Sequence, residues 1–154
     1  MKIKAFILLA IQFFLPACTE KVPEEVYVKD GLFSQSLSIG ISRQIIVVDK
    51  WYELSAERKT GPWTKVRRSS LPDGQCWILR PPPEKEDNVT NNVTWVSDSN
   101  THVEYSIPQN PFTEPRKIKF KAAGRYRLKA ISSAWCGEPF ESNVIEIEAT
   151  RAQN

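Results

Sequence analysis

Histidine is almost missing from this 154-residue chain, and His102 is the only one. A Ser-His-Asp triad or a histidine-built metal site therefore lacks its parts. No nucleophile elbow, HExxH, P-loop or GxGxxG pattern occurs either. No charge sign dominates: 21 basic side chains face 18 acidic ones, and Lys2 and Lys4 account for two of the three net positive charges. Such a balance gives no general pull toward nucleic acid. No apolar run approaches the roughly 20 residues that a membrane-spanning helix needs. Glycine is scarce too, with 6 residues against 11 prolines and 5 tryptophans, a composition that favours strands and loops over long helices.

What is present begins at the N-terminus. Lys2 and Lys4 open a positive segment, and residues 5–14 (AFILLAIQFF) form a short apolar run. A charged start, a short apolar stretch and a small residue at its end make a secretory leader. The run ends Leu15-Pro16-Ala17-Cys18. This resembles the lipobox of bacterial lipoproteins, although Pro16 stands where small or hydroxylated residues are commoner. The resemblance implies cleavage after residue 17, a diacylglycerol on the Cys18 sulfur and acylation of the new amine. Stable anchoring takes more than one acyl chain, which this modification supplies. Thr19 and Glu20 follow, where Asp would mark inner-membrane retention, so the resemblance points to the outer membrane in a two-membrane host. The expected ordering is a leader at 1–17, a tether at 18–35, a domain at 36–149 and a tail at 150–154.

Cysteine parity bears on the same point. Of three cysteines, lipidation consumes Cys18 and leaves Cys76 and Cys136 as a pair in an oxidising compartment. One disulfide is the simplest reading, two free buried thiols the alternative. No CxxC suggests a redox site, no cofactor is expected, and no metal site is expected.

The rest of the chain reads as short strands. Residues 36–48 mix alternation with an apolar run, as one strand or a broken pair. Residues 51–57 and 63–66, separated by RKTGP, carry a hairpin signal. Residues 69–74 (SSLPDG) form a turn, with Asp-Gly suited to left-handed φ, and 76–79 (CWIL) a short strand. Pro81, Pro82 and Pro83 lead a polar loop over 84–92 that no central strand could contain. Strand patterns follow at 93–96, 103–107, 118–121, 125–132 and 142–149. Residues 19–31 are charged and poorly periodic, a tether expected to end in an edge strand near Val26 and Val28. Seven to nine short strands with regular turns predict an all-β, antiparallel two-sheet sandwich.

The most informative segment is 116–149. Ile118 and Phe120 alternate with Lys117, Lys119 and Lys121, and Tyr126, Leu128 and Ala130 alternate with Arg125, Arg127 and Lys129. The Gly124-x-Tyr126 spacing resembles the tyrosine corner of immunoglobulin-like and fibronectin type III-like domains. That resemblance implies an Ig-like sandwich. It departs from antibody domains, because Leu128 sits where their second inter-sheet cysteine would be. In a sandwich the two basic rows fall on different sheets, which disperses an apparent polyanion patch.

Further candidates are weak. Glu84, Glu86 and Asp87 cluster in the proline-led loop, as solvating acids rather than a catalytic or calcium-binding set. Several tryptophans are expected in the core, with Trp135, beside Cys136, as the best candidate for an exposed ligand or partner contact. Asn88-Val-Thr90 and Asn92-Val-Thr94 match the glycosylation sequon, incidentally in a bacterial chain. The expected function is a non-enzymatic, membrane-anchored binding or structural module of the cell envelope. Its partner would be an envelope protein or glycan. The alternative is an envelope-polymer-binding lipoprotein that uses exposed tryptophan.

Overall fold

The computed structural model of the protein describes residues 23–29, 31, 34–43 and 45–152. The expected leader, the lipidation site Cys18 and most of the tether lie outside the described residues. Within them the fold is all-β, interrupted by 3-10 turns at Arg68–Ser70 and Asn100–His102. No helix among the described residues is long and apolar enough to cross a membrane.

The long strand β4 (Trp51–Lys59) organises the first sheet. Its period-two alternation turns Tyr52, Leu54, Ala56 and Arg58 inward, all buried, while the intervening residues face out. One edge pairs antiparallel with β2 (Ser36–Ile41) over its whole length. The other edge is shared. β9 (Lys117–Phe120) takes the Trp51 end, and β6 (Lys85–Glu86) takes the Lys59 end. β8 (Val103–Tyr105) pairs outside β9. The polar stretch after the triple proline thus contributes a two-residue edge strand, and the prolines themselves, which lack the N–H a ladder needs, stay outside it.

The second sheet is built on β10 (Gly124–Ser132), which turns Tyr126, Leu128, Ala130 and Ser132 inward. It pairs antiparallel with β7 (Thr94–Ser97), β11 (Phe140–Glu141) and β12 (Ile145–Thr150). β3 (Ile46–Val47) joins β12 in the one parallel pairing among the described strands. Residues 36–48 are therefore the broken pair: β2 belongs to the first sheet and β3 to the second. The inner faces of both sheets meet in a single core that includes Leu37, Leu54, Ile118, Phe120, Leu128 and Ile147. Phe120 and Tyr126 pack ring to ring across it at 4.8 Å.

Two polar ties cross between the sheets. Asn143 accepts from the Ile39 amide at 2.8 Å and donates to the Ile39 carbonyl at 3.3 Å. Arg58, the last inward residue of β4, reaches Ser132, the last inward residue of β10. Its Nη1 donates to the Ser132 hydroxyl at 2.9 Å, and its Nε donates to Glu86 at 2.7 Å. This ion pair is largely shielded from water, with side chains 8% and 19% exposed.

The expected hairpin across 51–66 does not form. Both edges of β4 are occupied, so β5 (Trp63–Arg67) turns away and pairs with β1 (Glu25–Lys29), the strand at the end of the expected tether. Val26 is fully buried, yet neither it nor Val28 joins the main core. The β1–β5 ribbon is thus a separate small layer. Residues 76–79 also differ from expectation. Only Ile78 pairs, through two 2.9 Å backbone bonds to Tyr27, and Leu79 is exposed.

The basic rows sit on different sheets, as the alternation predicted, and face carboxylates. Lys119 and Lys121 approach Glu104 at 3.0 and 3.5 Å, and Lys129 approaches Glu141 at 2.7 Å. The Lys119 hydrogen bond, aided by the charges of both lysines, holds the Glu104 carboxyl below its usual range.

Removing Glu86 leaves the Arg58 charge buried and unpaired, which costs about 3 kcal/mol. Chemical denaturation of Glu86→Ala is expected to show that loss, and Arg58→Met, which removes the charge itself, a smaller one. Tyr105 gives a pH-dependent signature. Burial pushes its hydroxyl from 10.0 up to about 12, opposed by the nearby Arg116 charge. The unfolded chain then ionises first, so this contribution to stability is intact below pH 10 and is lost as pH rises toward 12. Denaturation midpoints across that range are expected to fall less steeply in Tyr105→Phe.

Candidate functional site

The connection from β4 to β7 is the long one, and it carries the unusual chemistry. After β5 the chain makes the Arg68–Ser70 turn and then the Pro-Asp-Gly turn. Gly74 has φ 80°, the left-handed value that Asp-Gly predicted, and the Gln75 amide bonds the Pro72 carbonyl at 3.2 Å. Cys76 comes next and is joined to Cys136, with the two Cα atoms 5.9 Å apart. Cys136 lies in the loop between β10 and β11. The disulfide therefore fastens the long β4–β7 connection to the β10–β11 loop.

Trp77 and Trp135 flank the two bonded cysteines. The Cys76 sulfur lies 3.9 Å from the Trp135 carbonyl oxygen. The Arg68 guanidinium covers the Trp77 ring at 4.9 Å, a cation–π contact. Trp135 is 45% exposed and Leu79, three residues beyond Cys76, is 55% exposed. This cluster is fastened by the disulfide, apolar at its surface and bordered by arginine.

The other sequence candidates lie elsewhere. Gly124 and Tyr126 start β10, whereas Trp135 follows its far end. Nine strand residues, roughly 26 Å, separate the two ends. The Tyr126 hydroxyl donates to the Ala122 carbonyl at 2.7 Å. Burial, with the Asp98 charge, pushes that hydroxyl's pKa up. Gly124 has φ 156°, which side chains rarely adopt. Both residues secure the turn into β10 and stand apart from the stapled loops.

The acidic trio is dispersed. Glu86 is bound to Arg58 and Asp87 is 3.1 Å from Lys85. Lys85 also contacts Glu57 at 2.9 Å, and these bonds raise its pKa. His102 is exposed, 3.3 Å from the Ser99 hydroxyl. No group of three or more His, Cys, Asp or Glu among the described residues could hold a metal ion. Of the tryptophans only Trp95 is buried, against the expectation of several in the core. Its Nε1 donates to the Thr90 carbonyl at 2.9 Å, which meets the polar requirement of a buried indole. The Thr90 hydroxyl is buried too and accepts from the Arg116 amide at 3.0 Å.

Two features escaped the sequence reading. Arg58 stands in the stretch RKTGP, which reads as a turn, although the alternation Tyr52, Leu54, Ala56 puts position 58 on the same inward face. Ile107 and Phe112 lie in the β8–β9 loop and are 93% and 92% exposed. That loop is nonetheless well tied. Asn91 donates to the Pro111 and Glu114 carbonyls at 2.9 and 2.8 Å. Nothing in a proline-rich loop sequence tells which of its apolar residues will point outward.

No protein-family model, curated protein or solved structure matches this chain.

Closing a loop of 60 residues removes unfolded-chain entropy worth about 4 kcal/mol. The double variant Cys76→Ser, Cys136→Ser is expected to unfold at lower urea by up to that amount. Single-residue exposure at Trp135 is expected to rise with it, read as a red shift and stronger iodide quenching of tryptophan emission.

Proposed function

We propose that the protein is a lipid-anchored envelope module: an Ig-like sandwich held to a membrane through Cys18, acting by contact rather than catalysis. The observation that carries this reading is the Cys76–Cys136 disulfide. A disulfide suits an exported chain, and it leaves Cys18 as the odd cysteine, placed at the end of an apolar leader. In a two-membrane host the residues after Cys18 favour the outer membrane.

The Ig-like part of the proposal rests on strand order. β2, β4, β9 and β8 form one sheet, and β3, β12, β10 and β7 run through the other. These correspond to the order ABED against A′GFC of immunoglobulin-like sandwiches. A buried tryptophan on the strand-C equivalent, Trp95, and the Tyr126–Ala122 bond at the corner before the strand-F equivalent add support. The departure is the disulfide, which links two loops instead of the two sheets. The contact surface would then be the stapled loop cluster around Trp77, Leu79 and Trp135.

Intact mass of the chain purified from bacterial membranes tests the anchor. The expected species begins at Cys18, carries diacylglyceryl and N-acyl groups, and lacks the two hydrogens lost in the disulfide. Cys18→Ser is expected to leave the leader uncut. A mature chain with an unmodified Cys18, or one that begins elsewhere, contradicts the proposal.

A further inference from the structure

The strand directions put three loops at one end of the domain. β4 ends at Lys59 and β10 ends at Ser132, and the Arg58–Ser132 bond shows that both ends lie together. The β8–β9 turn points the same way along β4, because Lys117 is opposite Glu53 and Phe120 lies beyond Trp51. The β4–β7 connection, the β8–β9 loop and the β10–β11 loop thus share an end. Of the seven large apolar side chains that are exposed among the described residues, four sit on these loops: Leu79, Ile107, Phe112 and Trp135.

The N-terminal segment leaves at this end as well. The Glu24 carbonyl accepts from the Arg68 amide at 2.9 Å, next to the Arg68–Trp77 contact. Only five residue steps separate Cys18 from Pro23, and a fully extended chain of that length spans at most about 18 Å. An anchor at Cys18 would hold this end, not the opposite one, against the bilayer.

We propose that this loop end rests on the membrane surface, with Trp135, Leu79, Ile107 and Phe112 entering the boundary between headgroups and acyl chains. The inference rests on the lipid-anchored reading and names the bilayer as the partner of the stapled loops. Tryptophan suits that depth, since its ring is apolar and its N–H is polar. The Trp77 side of this end suits phosphate headgroups, with Arg67, Arg68 and Arg80 near Asp73 and Lys65 paired to Glu25, while on the rest of the three loops Glu84, Glu86, Asp87, Glu114 and Glu138 outnumber Lys85 and Arg116. The apolar side chains are spread over three loops. A fluid bilayer accepts separate knobs, whereas a protein groove needs one continuous surface.

The full chain supports a direct test. With Cys18 lipidated and Cys76 bonded to Cys136, a newly introduced cysteine is the only free thiol. Phe112→Cys, Trp135→Cys and, as the control, Ile45→Cys are labelled with NBD and reconstituted in phosphatidylethanolamine–phosphatidylglycerol vesicles. Ile45 is 78% exposed and precedes β3 at the opposite end. Probes at 112 and 135 are expected to shift to the blue and to be quenched about twofold more by acyl-chain doxyl lipids than the probe at 45. Equal, water-like emission at all three sites, on protein that floats with the vesicles, overturns the membrane contact and leaves the anchor standing. Protein that does not float overturns both. A blue shift that needs added envelope protein or peptidoglycan fragments, and not lipid, also overturns the inference in favour of a macromolecular partner.

Discussion

The Cys76–Cys136 bond is the constraint on which the functional end of this molecule depends. The sandwich core would close without it, because neither cysteine contributes to that core. The β1–β5 ribbon is different. Its buried residues, Val26 and Val28, lie outside the main cluster, and its outer neighbour is a single bridge residue, Ile78, two positions from Cys76. A two-stranded ribbon is marginal by itself in water. The disulfide ties the segment that completes the ribbon to the loop that follows β10. About 4 kcal/mol of loop-closure entropy is large beside a typical domain stability of 5–15 kcal/mol.

Polar ties do a related job inside the sandwich. Arg58 and Asn143 each connect one sheet to the other, Arg58 near the stapled loops and Asn143 along the β2 edge. Replacing such a buried pair with apolar residues of similar size often costs nothing, so its net stabilising effect is small. Its geometric effect is greater. With Nε and Nη2 on Glu86 and Nη1 on Ser132, Arg58 fixes the relative position of β4, β6 and β10 at the end where the long connection begins.

Much of the fold was legible in the sequence because period-two alternation survives wherever one strand face is buried. Tyr126, Leu128 and Ala130 showed it, all three inward on β10. Cysteine parity identified the disulfide pair. The pairing of 51–57 with 63–66 was misread because alternation and turn residues are local, whereas the occupation of both β4 edges by β2, β6 and β9 is not. Residues 76–79 looked like a strand because apolar composition cannot distinguish a strand from one bridge beside a disulfide. Several tryptophans are expected in the core for a similar reason, yet among them only Trp95 is buried. Trp135 is exposed, as its place in a loop beside Cys136 suggests, whereas Trp51, Trp63 and Trp77 look no different from Trp95 in sequence. The candidate site was half legible: Trp135 and the cysteines were identified, but Ile107, Phe112 and Arg58 were not.

One disulfide organises a loop layer that the sandwich itself does not need. Native-state hydrogen exchange on the oxidised and reduced protein tests it most directly. Reduction is expected to raise amide exchange at Tyr27, Ile78 and the other ribbon amides of β1 and β5, and in residues 133–139. The central amides of β4, β9 and β10 are expected to keep their protection. Ribbon amides that exchange at the same rate in both states, or a loss of protection that spreads evenly through the sandwich, would contradict the account.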